Sequence, residues 1–295
     1  MELNCPIPVH GQLIDCGFVL LGYFKIIILG IVQGITELLP ISSTAHMRII
    51  PALLGWPDPG TPFSGAAQLA SFFAVMLYFK KEIKSIALGS YTSLIKKDYA
   101  SQQFKLGLGI ILSIIPVGIA GLLLKGILNT PGTMLRSIYV IGTASVFMGS
   151  LLIYCEKFCK PTRTLEEITL KDAILIGFAQ MLALIPGVSR SGSTLTAGLM
   201  LGLKRETAAA YSFIIGVPVI TLAGLKEIHE LYKAGLSTYG WSVLIVGIIS
   251  ASIFAFIAVF GLLRFLEKHS TYLFAWYRIF LGIFLIILAL VGVLH

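Results

Sequence analysis

Runs of about 16 to 24 apolar residues recur from Phe18 to the C-terminus, divided by short charged breaks, and about 20 such residues make a helix that crosses a hydrocarbon core about 30 Å thick. The breaks predict six complete crossings, at 64–79, 106–128, 137–154, 208–225, 243–263 and 273–294. Two further apolar segments, 18–53 and 173–203, are interrupted near their middles by Pro40-Ile41-Ser42-Ser43-Thr44 and by Pro186-Gly187-Val188-Ser189-Arg190-Ser191-Gly192-Ser193-Thr194. Such a break frees backbone groups that lipid cannot satisfy, so it must face protein or water. The flanking half-helices look short, which favours a re-entrant hairpin over two full crossings. The predicted fold is an all-α polytopic membrane protein with six transmembrane helices plus two re-entrant helix-loop-helix segments. The short alternating strands of a membrane β-barrel are not what the pattern shows.

Loop charge orients this arrangement. The stretches 80–105 and 155–172, with Lys204, Arg205, Arg264 and Lys268, carry fourteen Lys and Arg on one side of the alternating spans, against Arg48, Lys125, Arg136, Lys226 and Lys233 on the other. The positive-inside rule places the richer side in the cytoplasm and both termini outside. The first interrupted segment then enters from the outer face and the second from the cytoplasm, so the halves are inverted copies. Gly30-x-x-Gln33 with Pro40 and Ser43 matches Gly177-x-x-Gln180 with Pro186 and Ser189, about 147 residues later. The expected organisation is an N-terminal extension over 1–17 and one membrane domain over 18–295. Within that domain the first repeat spans about 18–128, the second about 137–263, and a C-terminal span covers 273–294.

Composition agrees. Of 295 residues, 57% are apolar and 12% charged, about half the charged share of an ordinary soluble domain. The net charge of +8 is spread over loops and not gathered into one stripe, which points to anionic lipid and away from nucleic acid. Cys5, Cys16, Cys155 and Cys159 lack the spacing of a metal or redox site, and a disulfide-stapled secreted domain is excluded. The first 17 residues lack a basic start and a cleavage signal, and are expected to be an interfacial or disordered extension.

Polar residues inside apolar segments are functional candidates because their burial is costly. In the first half they are Gln33, Glu37, Ser42, Ser43, Thr44 and His46. Gln33 and Glu37 share a helix face, and Ser43 and His46 are close enough in sequence for hydroxyl and imidazole to meet on a helix. The second-half run supplies two glycines, Gly187 and Gly192, four hydroxyls, Ser189, Ser191, Ser193 and Thr194, and the fork of Arg190. Glycines, hydroxyls, guanidinium and a following helix N-terminus together make an oxyanion site. An anion clamp opposite a carboxylate, a hydroxyl and an imidazole is the equipment of phosphoryl transfer. Ser43 or a water would attack and His46 would move the proton. Glu37 would orient His46, act as base, or hold Mg²⁺ or Ca²⁺ with Gln33.

The stretch Gln33-Gly34-Ile35-Thr36-Glu37-Leu38-Leu39-Pro40-Ile41-Ser42-Ser43-Thr44-Ala45-His46 and the run Pro186 to Thr194 resemble the two signatures of the undecaprenyl-diphosphatase family, also called bacitracin-resistance proteins. The resemblance covers about residues 20–294. It implies hydrolysis of undecaprenyl diphosphate to undecaprenyl phosphate at a site open to the outer face of the bacterial plasma membrane, recycling the lipid carrier for envelope polymers. It further implies divalent-cation dependence, Ser43 as nucleophile, His46 as general base or acid and Arg190 as phosphate ligand. Ser189, Ser191 and Thr194 are then supporting donors. In the family's (Glu/Gln)-x-x-x-Glu motif this chain has Gln33 first and Glu37 second.

Lys25 and Arg278 read as snorkelling anchors, Gln68 and Ser71 as head-group contacts or interhelical packing, and Gly107, Gly109, Gly118 and Gly121 as sites of close helix approach. Trp56, Tyr78, Tyr154, Trp241, Tyr272 and Trp276 fall near span ends, as interfacial anchors do. The rival reading is a secondary transporter or polyprenyl-phosphate flippase, which would need the clamp but not Glu37, Ser43 and His46 facing it. The expected partners are a polyprenyl diphosphate and membrane lipid, with room for a homodimer.

Overall fold

The computed structural model describes residues 17–124, 126 and 137–292. Its helices are α1 (Phe18–Leu38), α2 (Ser43–Leu53), α3 (Gly60–Ala67), α4 (Leu69–Tyr78), α5 (Lys80–Lys96), α6 (Gln102–Leu123) and α7 (Ile138–Phe158) in the first part of the chain. They continue with α8 (Leu170–Met181), α9 (Arg190–Met200), α10 (Arg205–Lys233), α11 (Thr238–Lys268) and α12 (Tyr272–Leu290). Among the described residues no strand forms, and a lone bridge joins Arg163 to Leu203.

Local chemistry sets the helix starts. Ser101, Ser137 and Ser237 accept hydrogen bonds from the amides of Phe104, Val140 and Gly240, satisfying donors that a helix leaves open. Thr169 and Asp172 close a reciprocal capping box at the head of α8.

Six helices are long and apolar enough to cross a membrane: Phe18–Leu38, Gln102–Leu123, Ile138–Phe158, Arg205–Lys233, Thr238–Lys268 and Tyr272–Leu290. The number is the expected one, but the membership differs. The stretch 64–79 is not one regular span; it is α3 and α4 joined at Gln68, followed by α5 at a bend of 79°. The stretch 80–105, taken as a loop, is mostly α5. In its place α1 qualifies, at 21 residues, although Gly22 (φ 67°, ψ 179°) breaks its helical geometry near the start. Residues 1–16, Lys125, Arg136 and the far ends of 106–128 and 273–294 lie outside the described residues.

Small residues let the spans approach closely, the usual device where lipid removes the hydrophobic drive between helices. A Cβ on Gly30 of α1 would stand 2.6 Å from the Gly247 carbonyl of α11, and one on Gly142 of α7 would stand 2.8 Å from the Gly282 carbonyl of α12. By contrast Gly118 and Gly121 meet nothing within 4 Å, so these two do not mark a helix contact among the described residues. The principal apolar core gathers Leu38 and Ile41 of the first interruption, Leu195 and Leu199 of α9, Phe213 and Ile215 of α10, and Ala255 and Val259 of α11. Packing therefore draws the two interrupted segments into one interior.

At one end of the bundle Glu156, with 2% of its side chain exposed, accepts from the Nε of Arg205 at 2.7 Å, from Arg205 Nη2, and from the amide and hydroxyl of Thr271 at 3.1 and 2.7 Å. This carboxylate ties α7, α10 and the start of α12 together. Removing one partner of a buried pair strands the other charge, so Arg205→Leu is expected to cost about 3 kcal/mol of stability. Thermal unfolding in detergent checks it. An unchanged midpoint in Arg205→Leu would show that the Thr271 donors suffice.

Candidate active site

Both interruptions arise from the same local rule. Leu39 (φ −68°, ψ 145°) and Ile185 (φ −85°, ψ 118°) take the extended backbone that a following proline imposes, so the helical run ends there. Helix resumes after Ser42 and Ser189, which have φ of 70° and 69°. With Lys97 these are the non-glycine residues of positive φ among the described residues. Each such conformation costs about 1–3 kcal/mol, which surrounding contacts must offset. The turns do not match as the sequence alignment of Ser43 with Ser189 has it. Backbone conformation pairs Ser42 with Ser189, which keeps the 147-residue offset of Gly30 and Gln33. Ser43 and Arg190 thereby become equivalent, as the first residues of α2 and α9.

Ser43 and Arg190 line one cavity of about 70 Å³, together with Glu37, Ser42, Thr44, Gln68 and Ser189. Glu37, near the end of α1, is 8% exposed. Its Oε2 accepts from the amide of Gln33 at 2.9 Å and from the hydroxyl of Ser43 at 2.7 Å. Its Oε1 lies 3.6 Å from Arg190 Nη2. That nitrogen is buried and has no hydrogen-bond partner among the described residues. The neighbouring Nη1 donates to the Ser212 carbonyl of α10 at 3.3 Å. Gly216 of α10 makes room for the guanidinium, because a Cβ there would run into it.

His46 does not reach Ser43. Its Nδ1 is 2.8 Å from the Ser42 carbonyl and its Nε2 is 2.7 Å from the Tyr277 hydroxyl, with the two rings stacked at 5.6 Å. A carbonyl can only accept, so Nδ1 carries the proton, and in the neutral ring Nε2 accepts from Tyr277. The first residue of α2 points back to Glu37 while His46, three positions on, points to α12.

Several expected ligands are instead the fabric of the turns. Ser191 donates to the carbonyls of Glu37 and Leu39 at 3.3 and 3.0 Å, tying the second turn to the first. Ser189 caps α9 through the Gly192 amide, and its hydroxyl pairs with that of Ser191 at 3.1 Å. Thr194 donates to the Arg190 carbonyl at 2.8 Å and pairs with the Ser212 hydroxyl. Ser42 pairs with Thr44 at 3.0 Å, and Thr44 accepts from the Gly187 amide at 3.3 Å. Gly187, at φ 95°, sits where a Cβ would strike the backbone of Ile141 at 2.5 Å. Ser193 bonds back to the Arg190 carbonyl.

A second cavity of about 180 Å³ adjoins the first through Ser43, Thr44 and Gln68, and reaches Arg48 and Asp58. Arg48 pairs with Asp58 at 2.7 Å, both about half exposed. Gln68 lines both cavities, whereas Ser71 lines neither and is buried. Among the described residues no three His, Cys, Asp or Glu side chains are grouped to hold a metal. Glu37 is the carboxylate of the inner cavity, with the Gln33 amide beside it.

Arg278 corrects the sequence reading outright. It is 1% exposed and does not snorkel. It donates to the Pro40 carbonyl at 3.2 Å and to those of Gly187 and Val188 at 2.8 and 2.7 Å. A charge in the middle of the apolar run Tyr272–Leu290 was the available signal. Tyr277 and Ser212 gave none, being ordinary residues of apolar helices.

The family model described as bacitracin resistance protein BacA matches residues 26–284, which takes in both turns and the helices that carry them. The chain is 53% identical over 255 residues to undecaprenyl-diphosphatase 2 of Mesorhizobium japonicum, covering 86% of this chain and 97% of that one. It is 49% identical over 258 residues to an undecaprenyl-diphosphatase of Trichormus variabilis, covering 87% and 81%. With a third, from Gloeobacter violaceus, the identity is 48% over 274 residues, covering 93% and 94%. A family-model match over residues 26–284 and identity of this order along most of the chain make it a member of the bacitracin resistance protein BacA family.

Proposed function

We propose that the protein hydrolyses undecaprenyl diphosphate to undecaprenyl phosphate and inorganic phosphate. The observation that carries this reading is the convergence of the Ser43 hydroxyl and the Arg190 guanidinium on one buried carboxylate, Glu37. Its kinship with chains named undecaprenyl-diphosphatase supplies the substrate.

The terminal phosphoryl group would sit between the turns, where Arg190 Nη2 gains the acceptor it lacks. Phosphoryl transfer needs positioning and charge neutralisation more than covalent chemistry, and a planar fork matches phosphate oxygens. Ser43 Oγ attacks phosphorus in line and passes its proton to Glu37, 2.7 Å away. The bond to the bridging oxygen breaks and undecaprenyl phosphate leaves with that oxygen and its electron pair. Glu37 gives that proton up to the departing phosphate. Water then attacks the phosphoserine as Glu37 takes its proton, the bond from phosphorus to Ser43 Oγ breaks, and Oγ recovers the proton from Glu37 as inorganic phosphate departs. In this scheme Glu37 is the base and His46 holds the Ser42 turn against Tyr277. Gln68, which lines both cavities, offers its amide to the diphosphate.

A divalent cation belongs to the proposal. Mg²⁺ keeps several waters and is held by one or two carboxylates together with substrate phosphates. Glu37 with the carboxamide oxygen of Gln33 fits an ion that arrives on the diphosphate, whose charge it would neutralise.

The two interrupted segments are read as re-entrant hairpins of an inverted repeat within one membrane domain. The sixteen residues of α1 after Gly22, the eleven of α2, the twelve of α8 and the eleven of α9 span about 24, 17, 18 and 17 Å, all less than a hydrocarbon core of about 30 Å. The domain is read as lying in the plasma membrane with the cavity open to the outside, an orientation that the excess of loop Lys and Arg on the other side supports.

Phosphate release by purified protein tests the reaction. Glu37→Ala and Arg190→Ala are each expected to lower it by about a thousandfold, the scale of losing a preorganised charge or an acting base, while melting as wild type. Undiminished release in either variant would overturn the assignment. Ser43→Ala should be equally inactive, whereas His46→Ala and Tyr277→Phe should retain activity within about a hundredfold, as positioning residues do. A His46→Ala variant as dead as Ser43→Ala would return the proton transfer to His46.

A further inference from the structure

Arg278 raises a question that the reaction scheme leaves unanswered. A guanidinium buried in a membrane protein is normally met by an acid, yet among the described residues no carboxylate pairs with it, and its Nε has no hydrogen-bond partner. Three carbonyls receive its other hydrogens: Pro40 of the first turn, and Gly187 and Val188 of the second. Its guanidinium lies against the first turn of α9, where a Cβ on Gly192 would collide with Nη1. The Lys, Arg, Asp and Glu side chains that meet at the two turns are then Glu37, Arg190 and Arg278, two cations to one carboxylate.

Resting on the diphosphate reading of the cavity, we propose that Arg278 is the positioning residue of the site and that the bound diphosphate is its counterion. The side chain does two things at once. Its fork fixes the distance between the Ser42 and Ser189 turns, which sets Ser43 against Arg190. Its charge sits behind the turn that carries Ser189 and Arg190, and attracts the anion through a dry, weakly screening interior. It touches no reacting atom. The neighbouring residue of the same helix, Tyr277, holds the first turn through His46, so consecutive residues of α12 secure both sides of the cavity.

Binding of inorganic pyrophosphate to detergent-solubilised protein, read by calorimetry, separates this from a purely structural role. Arg278→Met is expected to weaken pyrophosphate by about 30-fold or more, the loss of one nearby positive charge acting through a dry interior. Arg278→Lys keeps the charge but cannot grip three carbonyls, so it should bind pyrophosphate within about fivefold of wild type while kcat falls by about tenfold or more. Arg264→Gln, which removes a cation stacked on Phe260 elsewhere, should leave pyrophosphate affinity unchanged. Pyrophosphate binding by Arg278→Met within about threefold of wild type would overturn the proposal. Should the Met variant not fold, the Lys variant decides: affinity lost by 30-fold in a protein that melts as wild type is equally fatal. If wild-type protein binds no pyrophosphate at all, it is the diphosphate reading that has failed.

Discussion

Backbone that leaves a helix inside a membrane must find new hydrogen-bond partners, and here each interrupted segment finds them in the other and in Arg278 of α12. The carbonyls freed at Glu37 and Leu39 are met by the Ser191 hydroxyl, and that of Pro40 by Arg278. The carbonyls of Gly187 and Val188 are met by the same guanidinium, and the Gly187 amide by Thr44. Neither turn is satisfied alone, because lipid offers no donor or acceptor. The pocket between them is thus a consequence of how the breaks are made tolerable.

This division explains why so few of the many hydroxyls are left to react. Ser42, Ser189, Ser191, Ser193 and Thr194 are engaged with backbone or with one another. Ser43 is engaged with a carboxylate, the partner that can accept its proton. Arg190 likewise spends Nη1 on a carbonyl and keeps Nη2 for the cavity. In the proposed reaction, preorganisation of this kind would let Ser43, Glu37 and Arg190 wait in position, held by neighbours whose own polar groups are already satisfied.

Much of this was legible in the chain. The apolar runs gave an all-helical membrane protein, and the polar breaks gave both turns, since Pro40 and Pro186 end helices by a rule that needs no tertiary information. That Glu37 faces Arg190 follows from reading the two breaks as halves of one site, an anion clamp opposite a carboxylate. Other features depend on three-dimensional placement. A three-residue spacing allows Ser43 and His46 to meet, but which way each points is set by Glu37 behind one and Tyr277 beside the other, the latter 231 positions away. Arg278 looked like an anchor because snorkelling depends on depth, and depth is not written in the residues around it. The α5 stretch reads as loop because five charged residues within Lys80–Lys96 hide a helix that lies outside the apolar pattern.

The two turns share a backbone plan but not a chemistry, and the difference is what the site requires. Ser42 and Ser189 adopt the same unusual conformation, and each hands the chain to a helix whose first residue lines the cavity. On one side that residue is Ser43, on the other Arg190. Four positions into the helix from Gln33 stands Glu37; four from Gln180 stands Leu184. Two cations facing each other would repel in so dry a space, and two serines would leave an incoming anion without charge to bind it. Two turns of one backbone plan thus bring unlike groups to the same cavity, a hydroxyl beside a carboxylate from one and a guanidinium from the other. Arg278, outside both, then holds the unlike halves in register.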